Sequence, residues 1–144
     1  RYRLVDYLEE INMYLIEVSG YEWEDNFLVS GKTGKEIPVQ AQSTGSYDIV
    51  RKDETIYFAG YRNDPGEFSG FHGIVVTKID LETENYEQIY RISEDISEWQ
   101  ITSLWSINDE FRAVLLRYPK LGQAREERTT LFQLEGENVK GFYF

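Results

Sequence analysis

A hairpin pattern that recurs about every 50 residues is the strongest constraint on the fold of this chain. Its clearest copy is GIVVTKIDLETENYEQIYRI at residues 73–92. Residues 74–79 are β-branched at every position except Lys78, which favours an extended strand, and residues 86–92 form a second such run. Between the runs, the Asp80 carboxylate can accept from backbone N–H groups two or three residues on, and Asn85 tolerates a left-handed backbone. The pattern therefore predicts a hairpin.

Two further copies of this hairpin can be aligned with the first. A shift of 53 residues pairs identical residues: Leu81 with Leu134, Glu82 with Glu135, Glu84 with Glu137, Asn85 with Asn138 and Tyr90 with Tyr143. A shift of 50 residues places Thr33 of FLVSGKTGKEIPV on Thr83. The strand before each hairpin also recurs, at residues 11–18, 53–61 and 108–118. A period of this length is typical of solenoids and propellers.

Each repeat can be written as four short strands. We predict strands at residues 3–7, 13–19, 26–30 and 37–42 in the first unit, 47–51, 55–61, 73–80 and 86–92 in the second, and 101–107, 111–118, 129–134 and 139–144 in the third. Turn residues separate them at 44–46, 52–53, 63–66, 108–109 and 119–122. The first pair has an alternative, because a short amphipathic helix would explain the spacing of Leu4, Leu8, Ile11 and Leu15. The repeat favours strands there.

Four-stranded units repeated head to tail resemble the blades of a β-propeller, and residues 79–92 resemble the outer strand pair of a blade. The resemblance covers most of the chain and concerns the fold only, because the sequence has neither the Trp-Asp dipeptide nor the double glycine of the better-marked propeller families. Propellers have about 4 to 8 blades. Three all-β, antiparallel meanders therefore imply an open fragment of a propeller or half of a dimeric ring; the alternatives are a β-barrel or a β-sandwich.

We expect one all-β domain, residues 1–144, with repeat units at approximately 1–44, 45–98 and 99–144. The chain begins at Arg1 and stops at Phe144 within an apolar run, so we expect an excised or processed piece of a longer protein. It contains no cysteine, which excludes disulfides and thiolate metal sites, and we expect no cofactor and no metal. A cysteine-free chain suits the cytosol and many bacterial exteriors alike; we favour an extracellular or cell-surface location.

Negative charge is the strongest compositional bias. The chain has 15 basic and 26 acidic residues, a net charge of −11. Nucleic acid phosphates and anionic lipids repel such a chain, so neither is an expected partner. No apolar run approaches the roughly 18 residues that a membrane-spanning helix needs. A protein partner is expected instead, and a basic one would match this charge.

Few residues have the types and spacing that catalysis requires. The segment SGKT at residues 30–33 ends like a phosphate-binding loop, but Asn26 stands where the first glycine belongs and Pro38 excludes the following helix, so we expect a hairpin turn. His72 is the only histidine, too few for a zinc site or a confident Ser-His-Asp arrangement. Glu22 and Glu24 share one face of an extended segment and are the carboxylate pair of a glycosidase alternative.

Aromatic residues are the second compositional excess: 11 Tyr, 8 Phe and 3 Trp. Most suit a β-sheet core, but several lie in connections, where aromatic rings beside charges are typical of interface centres. We predict a partner-facing rim formed by residues 62–73 and 93–99. The predicted partner-binding residues are Trp23, Phe68, Phe71, His72, Glu94, Asp95 and Trp99.

The function that best accounts for charge, aromatics and scarce catalytic types is a non-enzymatic module for protein–protein interaction through acidic and aromatic loops. Two alternatives remain open. One is a carbohydrate-binding or glycoside-cleaving domain that uses Trp and Tyr as stacking platforms. The other is a set of structural blades in a larger propeller assembly, either as a homodimer or as part of a longer chain.

Overall fold

The structure is a computed structural model that describes residues 1–21, 23–41, 46–63, 72–92, 100–117, 124, 126–135 and 138–143. These residues form twelve β-strands and a single 3₁₀ turn. Within these ranges, no helix has the length and apolar composition needed to cross a membrane. The predicted all-β class, built from antiparallel meanders, is confirmed.

The strands form three sheets, and each sheet is made from one continuous segment of chain. Sheet 1 has the order β1-β2-β3-β4, with β1 (Tyr2–Leu8), β2 (Met13–Gly20), β3 (Trp23–Ser30) and β4 (Glu36–Val39). Sheet 2 has the order β5-β6-β7-β8, with β5 (Tyr47–Lys52), β6 (Thr55–Asn63), β7 (His72–Asp80) and β8 (Tyr86–Ile92). Sheet 3 follows the same order, with β9 (Gln100–Ile107), β10 (Glu110–Arg117), β11 (Glu126–Glu135) and β12 (Asn138–Tyr143).

The opening segment forms strands, as the repeat predicts, and not the alternative helix. Its only helical residues are the 3₁₀ turn Glu9–Ile11 between β1 and β2. Three strand bounds differ from prediction by three residues. β3 begins at Trp23 rather than residue 26, because its pairing with β2 continues to Gly20. β4 ends at Val39 rather than residue 42, since its pairing with β3 starts at Asn26. β11 begins at Glu126 rather than residue 129, because its pairing with β10 continues to Arg117.

Sheet 2 is buried on both faces. Along β6, Ile56 and Phe58 join a core cluster with residues of sheet 1, whereas Tyr57 and Ala59 join a second cluster with residues of sheet 3. Successive side chains of a strand point to opposite faces, so a strand covered on both sides is typically a nearly continuous apolar run. The uninterrupted run from Ile56 to Ala59 meets this requirement. The three sheets therefore stack face to face, with sheet 2 in the middle.

The sheets approach one another closely. Gly60 lies where β6 meets the end of sheet 1, and a Cβ atom built on it would stand 1.5 Å from the backbone oxygen of Gln40. Beside it, the rings of Tyr47 and Phe58 stack with their centroids 5.2 Å apart. Only glycine can occupy position 60 without moving a backbone, so its missing side chain sets the spacing of sheets 1 and 2.

Polar contacts join the first strands of successive sheets. The Tyr47 hydroxyl on β5 donates to the Asp6 carboxylate on β1 over 2.5 Å. Burial, reinforced by this hydrogen bond, raises the pKa of the Tyr47 phenol. In the next step of the stack, the Ser106 N–H on β9 donates to the Asp48 carboxylate over 2.6 Å. The first strands therefore adjoin one another, and β12 likewise contacts β8, the last strand of sheet 2.

The turns β3–β4 and β7–β8 share one hydrogen-bond pattern at a spacing of 50 residues. The Ser30 hydroxyl accepts from the N–H groups of Lys32 and Thr33, both at 3.1 Å. The Asp80 carboxylate accepts from the equivalent N–H groups, of Glu82 at 2.8 Å and of Thr83 at 3.0 Å. These last two bonds lower the pKa of Asp80. The predicted role of Asp80 and the alignment of Thr33 with Thr83 are confirmed.

The left-handed residue of the second turn is Glu84 and not Asn85. Glu84 has φ 60° and the equivalent Gly34 has φ 76°, whereas Asn85 does not have a positive φ. The reason is the turn's closure: the Glu84 N–H donates to the Asp80 oxygen over 2.7 Å, which bends the chain back one residue earlier than predicted.

The third hairpin is not a structural copy of the second at the 53-residue shift. Leu134 pairs with Val139 within the β11–β12 ladder, whereas its aligned residue Leu81 lies in the turn after β7. The ladder of β7 and β8 already ends at the pair Ile79 and Tyr86. Residues that are identical at this shift therefore do not occupy equivalent structural positions, because the ladder of the third hairpin continues further toward its turn.

Candidate functional site

The face of sheet 1 that points away from sheet 2 is apolar, and no other part of the described chain covers it. Met13 and Leu15 on β2 are buried against sheet 2, so the alternating residues of β2 point the other way. Those residues and their neighbours on β1 and β3 are half-buried or exposed, and Tyr2 and Leu4 keep 78% and 56% of their surface. We call this surface the open face: Tyr2, Leu4, Tyr7, Tyr14, Ile16, Val18, Phe27 and Val29.

Strand register orders the open face into rows that cross the sheet. The rows are Tyr7, Tyr14 and Val29; then Leu4, Ile16, Phe27 and Pro38; then Tyr2, Val18 and Asp25. A depression of about 450 Å³ is lined by residues from all three rows. The rings of Tyr7 and Tyr14 are 4.6 Å apart, and the Tyr7 hydroxyl donates to the Asn12 side chain over 2.9 Å. Contiguous exposed apolar surface of this kind marks interaction sites.

Two acidic residues lie at the border of the open face. Asp25 ends the third row on β3, and Glu36 on β4 lies opposite Val29; both are exposed. Both carboxylates line the depression. The open face therefore presents an apolar centre with tyrosine hydroxyls and negative charge around it, an arrangement that fits a partner surface with an apolar patch and a cation.

The position of the open face is equivalent to buried faces in the other two sheets. The second and fourth residues of the second strand are Ile56 and Phe58 in sheet 2, and Phe111 and Ala113 in sheet 3. All four are fully buried, each pair against the preceding sheet. The same positions in sheet 1 hold Tyr14, which is 39% exposed, and Ile16, which is half-buried. Each sheet thus has a face suited to packing on a preceding sheet, and in sheet 1 this face is uncovered.

The structure does not describe the side chains of the partner-binding residues predicted from sequence. Trp23 begins β3 and His72 begins β7 opposite Asn63, and neither side chain is among those described. Five more lie outside the described residues: Phe68, Phe71, Glu94, Asp95 and Trp99. Glu22, one member of the alternative carboxylate pair, is also outside them. The predicted rim therefore stays a prediction.

The open face left a signal in the sequence. Residues 13–16, MYLI, are apolar without interruption, and Val18 follows after Glu17. A strand with one solvated face alternates apolar and polar residues, whereas an unbroken apolar run is typical of a strand covered on both faces. The run on β2 therefore indicates a covering layer on each face of sheet 1. Among the described residues, only the face with Met13 and Leu15 has such a layer, which is sheet 2.

The segment that resembles a phosphate-binding loop is a turn. Residues 30–33 connect β3 to β4, and the Ser30 hydroxyl accepts backbone N–H groups of the same turn. The Thr33 hydroxyl donates to Glu84 of sheet 2. The expected hairpin turn is confirmed, and the hydroxyls of Ser30 and Thr33 are engaged in protein contacts. In the part of the chain that the structure describes, no cluster of three or more His, Asp or Glu side chains could hold a metal ion.

Comparison with known proteins does not assign the chain to a family. No protein-family model matches the sequence, and no curated protein matches it. The geometry of the open face and the stacking of the sheets are therefore the observations from which a function is argued.

Proposed function

We propose that this protein is a propeller-type module that binds a protein partner through the open face and does so without catalysing a reaction. The observation that carries this proposal is the equivalence of the open face to two faces that are buried in the same molecule. A surface with the composition of an internal sheet interface, left exposed on sheet 1, favours association with another folded surface.

The stacking of the sheets supports propeller-type blades over a barrel or a sandwich. In a propeller, four-stranded sheets pack face to face around a centre, and the chain returns from the last strand of one blade to the first strand of the next. The order of strands in each sheet and the adjacency of β9 to β5 and β6 are consistent with this arrangement. The contacts of Tyr47 with Asp6 and of Ser106 with Asp48 join first strands, as blades around a common centre require.

The shape and chemistry of the open face favour a protein over a small molecule. Small-molecule sites are concave and enclose most of their ligand, whereas the open face is a sheet surface with one wide depression. Tyrosines such as Tyr2 and Tyr14 are enriched at the centres of protein interfaces because the ring packs and the hydroxyl stays hydrated. The acidic border formed by Asp25 and Glu36 favours a partner with a cation. The net charge of −11 disfavours nucleic acid.

A site-specific photo-crosslinking experiment tests this function. A photoreactive phenylalanine derivative replaces Tyr14 on the open face, and a control replaces Tyr21, which is 90% exposed in the turn after β2. The protein is irradiated in extract and alone at high concentration, and products are identified by mass spectrometry. We expect a discrete protein adduct from position 14 and not from position 21. Equal adducts from both positions, or none from position 14, would overturn the proposal.

A further inference from the structure

We propose that the occupant of the open face is sheet 3 of a second copy of this chain, so that two copies close a ring. This inference rests on the proposed function and identifies its partner. It follows from the way that sheets 1, 2 and 3 already pack within one copy, because among the described residues the same type of contact is not made at either end of the stack.

The surface that sheet 3 offers can be located by position. The third residue of the second strand faces the following sheet in sheets 1 and 2, where Leu15 and Tyr57 are buried. The same position in sheet 3 is Arg112, which lies opposite Trp105 on β9. Two residues further along β10, Val114 lies opposite Ser103. We call these described residues the end face: Ser103, Trp105, Arg112 and Val114.

The end face is half-apolar and carries a cation. The Arg112 side chain is 41% exposed, and its Nη2 atom is 3.6 Å from the Glu110 carboxylate. Its Nε atom is buried and donates to no group among the described residues. A guanidinium of this kind pairs with carboxylates and packs on aromatic rings. The open face supplies both, with the exposed tyrosines Tyr2 and Tyr14 and with Asp25 at its border. Trp105 and Val114 add apolar surface to meet the rows of sheet 1.

Counting sheets supports a ring of two copies. One copy has three sheets, so two copies have six, which lies within the range of about 4 to 8 blades that propellers close. In such a ring, the end face of each copy packs on the open face of the other. Both contacts are then heterologous and identical, and the two-fold rotation leaves neither face uncovered.

The experiment measures the mass of the 144-residue chain by analytical ultracentrifugation across a concentration series. Two variants each disable one face: Ile16→Glu on the open face and Val114→Glu on the end face. Tyr21→Glu is the matched control, since Tyr21 lies on neither face and is 90% exposed. Circular dichroism identifies any variant that does not fold; Leu4→Glu, on the open face with 56% of its surface exposed, then replaces Ile16→Glu.

We expect the wild type and Tyr21→Glu to form a dimer. The dimer dissociation constant of each face variant should be at least tenfold higher. An equimolar mixture of the two face variants retains one intact open face and one intact end face, so the mixture should recover a heterodimer. Dimerisation of Val114→Glu alone would overturn the inference in favour of open-face-to-open-face pairing. A wild type that stays monomeric would also overturn it. A crosslink from position 14 to a different protein would then leave the proposed function standing.

Discussion

The Thr33 hydroxyl in the β3–β4 turn donates a hydrogen bond of 2.5 Å to the Glu84 carboxylate in the β7–β8 turn, and so joins sheets 1 and 2 at their turns. Glu84 is only 5% exposed. Beside it, the Lys35 ammonium lies 5.6 Å from the centre of the Tyr86 ring. Hydrogen bonds from Ser30 and Thr33 lower the pKa of Glu84. These contacts explain why a glutamate occupies a left-handed position at which the first turn has glycine: the lost backbone preference is offset by a bond to the neighbouring sheet.

Replacing Glu84 by glutamine is expected to lower the free energy of unfolding at pH 7 by about 1–2 kcal/mol, because the charge-assisted bond from Thr33 becomes a neutral one. Urea denaturation measures the change. Glu82→Gln removes the same charge from an exposed position of the same turn and is expected to change stability by less than about 0.5 kcal/mol. Equal losses in the two variants would show that net charge, and not the Thr33 contact, is responsible.

The contribution of Glu84 should depend on pH. Because the folded-state pKa of Glu84 is lowered, the ionised carboxylate stabilises the fold above the ordinary glutamate pKa of about 4.3, and this stabilisation is lost as pH falls through the folded-state pKa. The difference in unfolding free energy between wild type and Glu84→Gln should therefore shrink between pH 7 and pH 3. The lowered pKa of Asp80 acts in both proteins and cancels from the difference. Urea denaturation across a pH series tests this, and a difference that grows toward low pH would contradict it.

Gly60→Ala is expected to lower the unfolding free energy by about 3 kcal/mol, because the new methyl group would stand 1.5 Å from the Gln40 carbonyl oxygen and force the sheets apart. Gly34→Ala is the comparison. The added methyl group at position 34 would meet no atom within 4 Å, but the backbone there has a φ of 76°. Backbone strain alone should therefore cost about 1–2 kcal/mol. Thermal unfolding followed by circular dichroism ranks the two variants. A milder effect at position 60 than at position 34 would show that sheets 1 and 2 are not held at this distance.

Phe58→Ala should lower the unfolding free energy by about 3–5 kcal/mol, because it opens a cavity between sheets 1 and 2. Ile16 has the equivalent position in sheet 1 but faces solvent, so Ile16→Ala should cost only about 1 kcal/mol in dilute solution. Chemical denaturation at low protein concentration gives both values. A loss at Ile16 as large as that at Phe58 would mean that the open face is covered within a single copy.

Much of the fold can be predicted from sequence. A β-branched run and an Asp that accepts its own turn's N–H groups are local signals, and a period near 50 residues is found by comparing the sequence with itself. Two of the differences from prediction, at the second and third hairpins, arose where the outcome depended on pairing. Glu84 rather than Asn85 took the left-handed position, and it contacts Thr33, 51 residues away in the chain. The third hairpin has residues identical to those of the second, but its ladder continues to the pair Glu135 and Asn138.

The open face could be predicted only in part. The unbroken run of apolar residues on β2 indicates two covered faces, but it does not say that one cover is missing. That conclusion needs the register that sets Tyr14 and Ile16 beside Val29 and Phe27, together with the burial of Ile56 and Phe58 at equivalent positions. Sequence reasoning instead favoured aromatic residues in connections, such as Phe68 and Trp99, which lie outside the described residues. Exposure of a strand residue is a property of the assembled sheets.

The matching turns have a consequence for how relatives of this protein would be recognised. Ser30 and Asp80 differ in chemistry, as do Gly34 and Glu84. In both turns, however, the fifth residue donates its N–H to the backbone oxygen of the first and has a positive φ. Both turns have a side-chain oxygen acceptor at the first position, a threonine at the fourth position and a residue with positive φ at the fifth position. Homologues that keep this geometry with other residue types would score poorly in comparisons based on residue identity. A search based on acceptor atoms and backbone torsion angles would retrieve them.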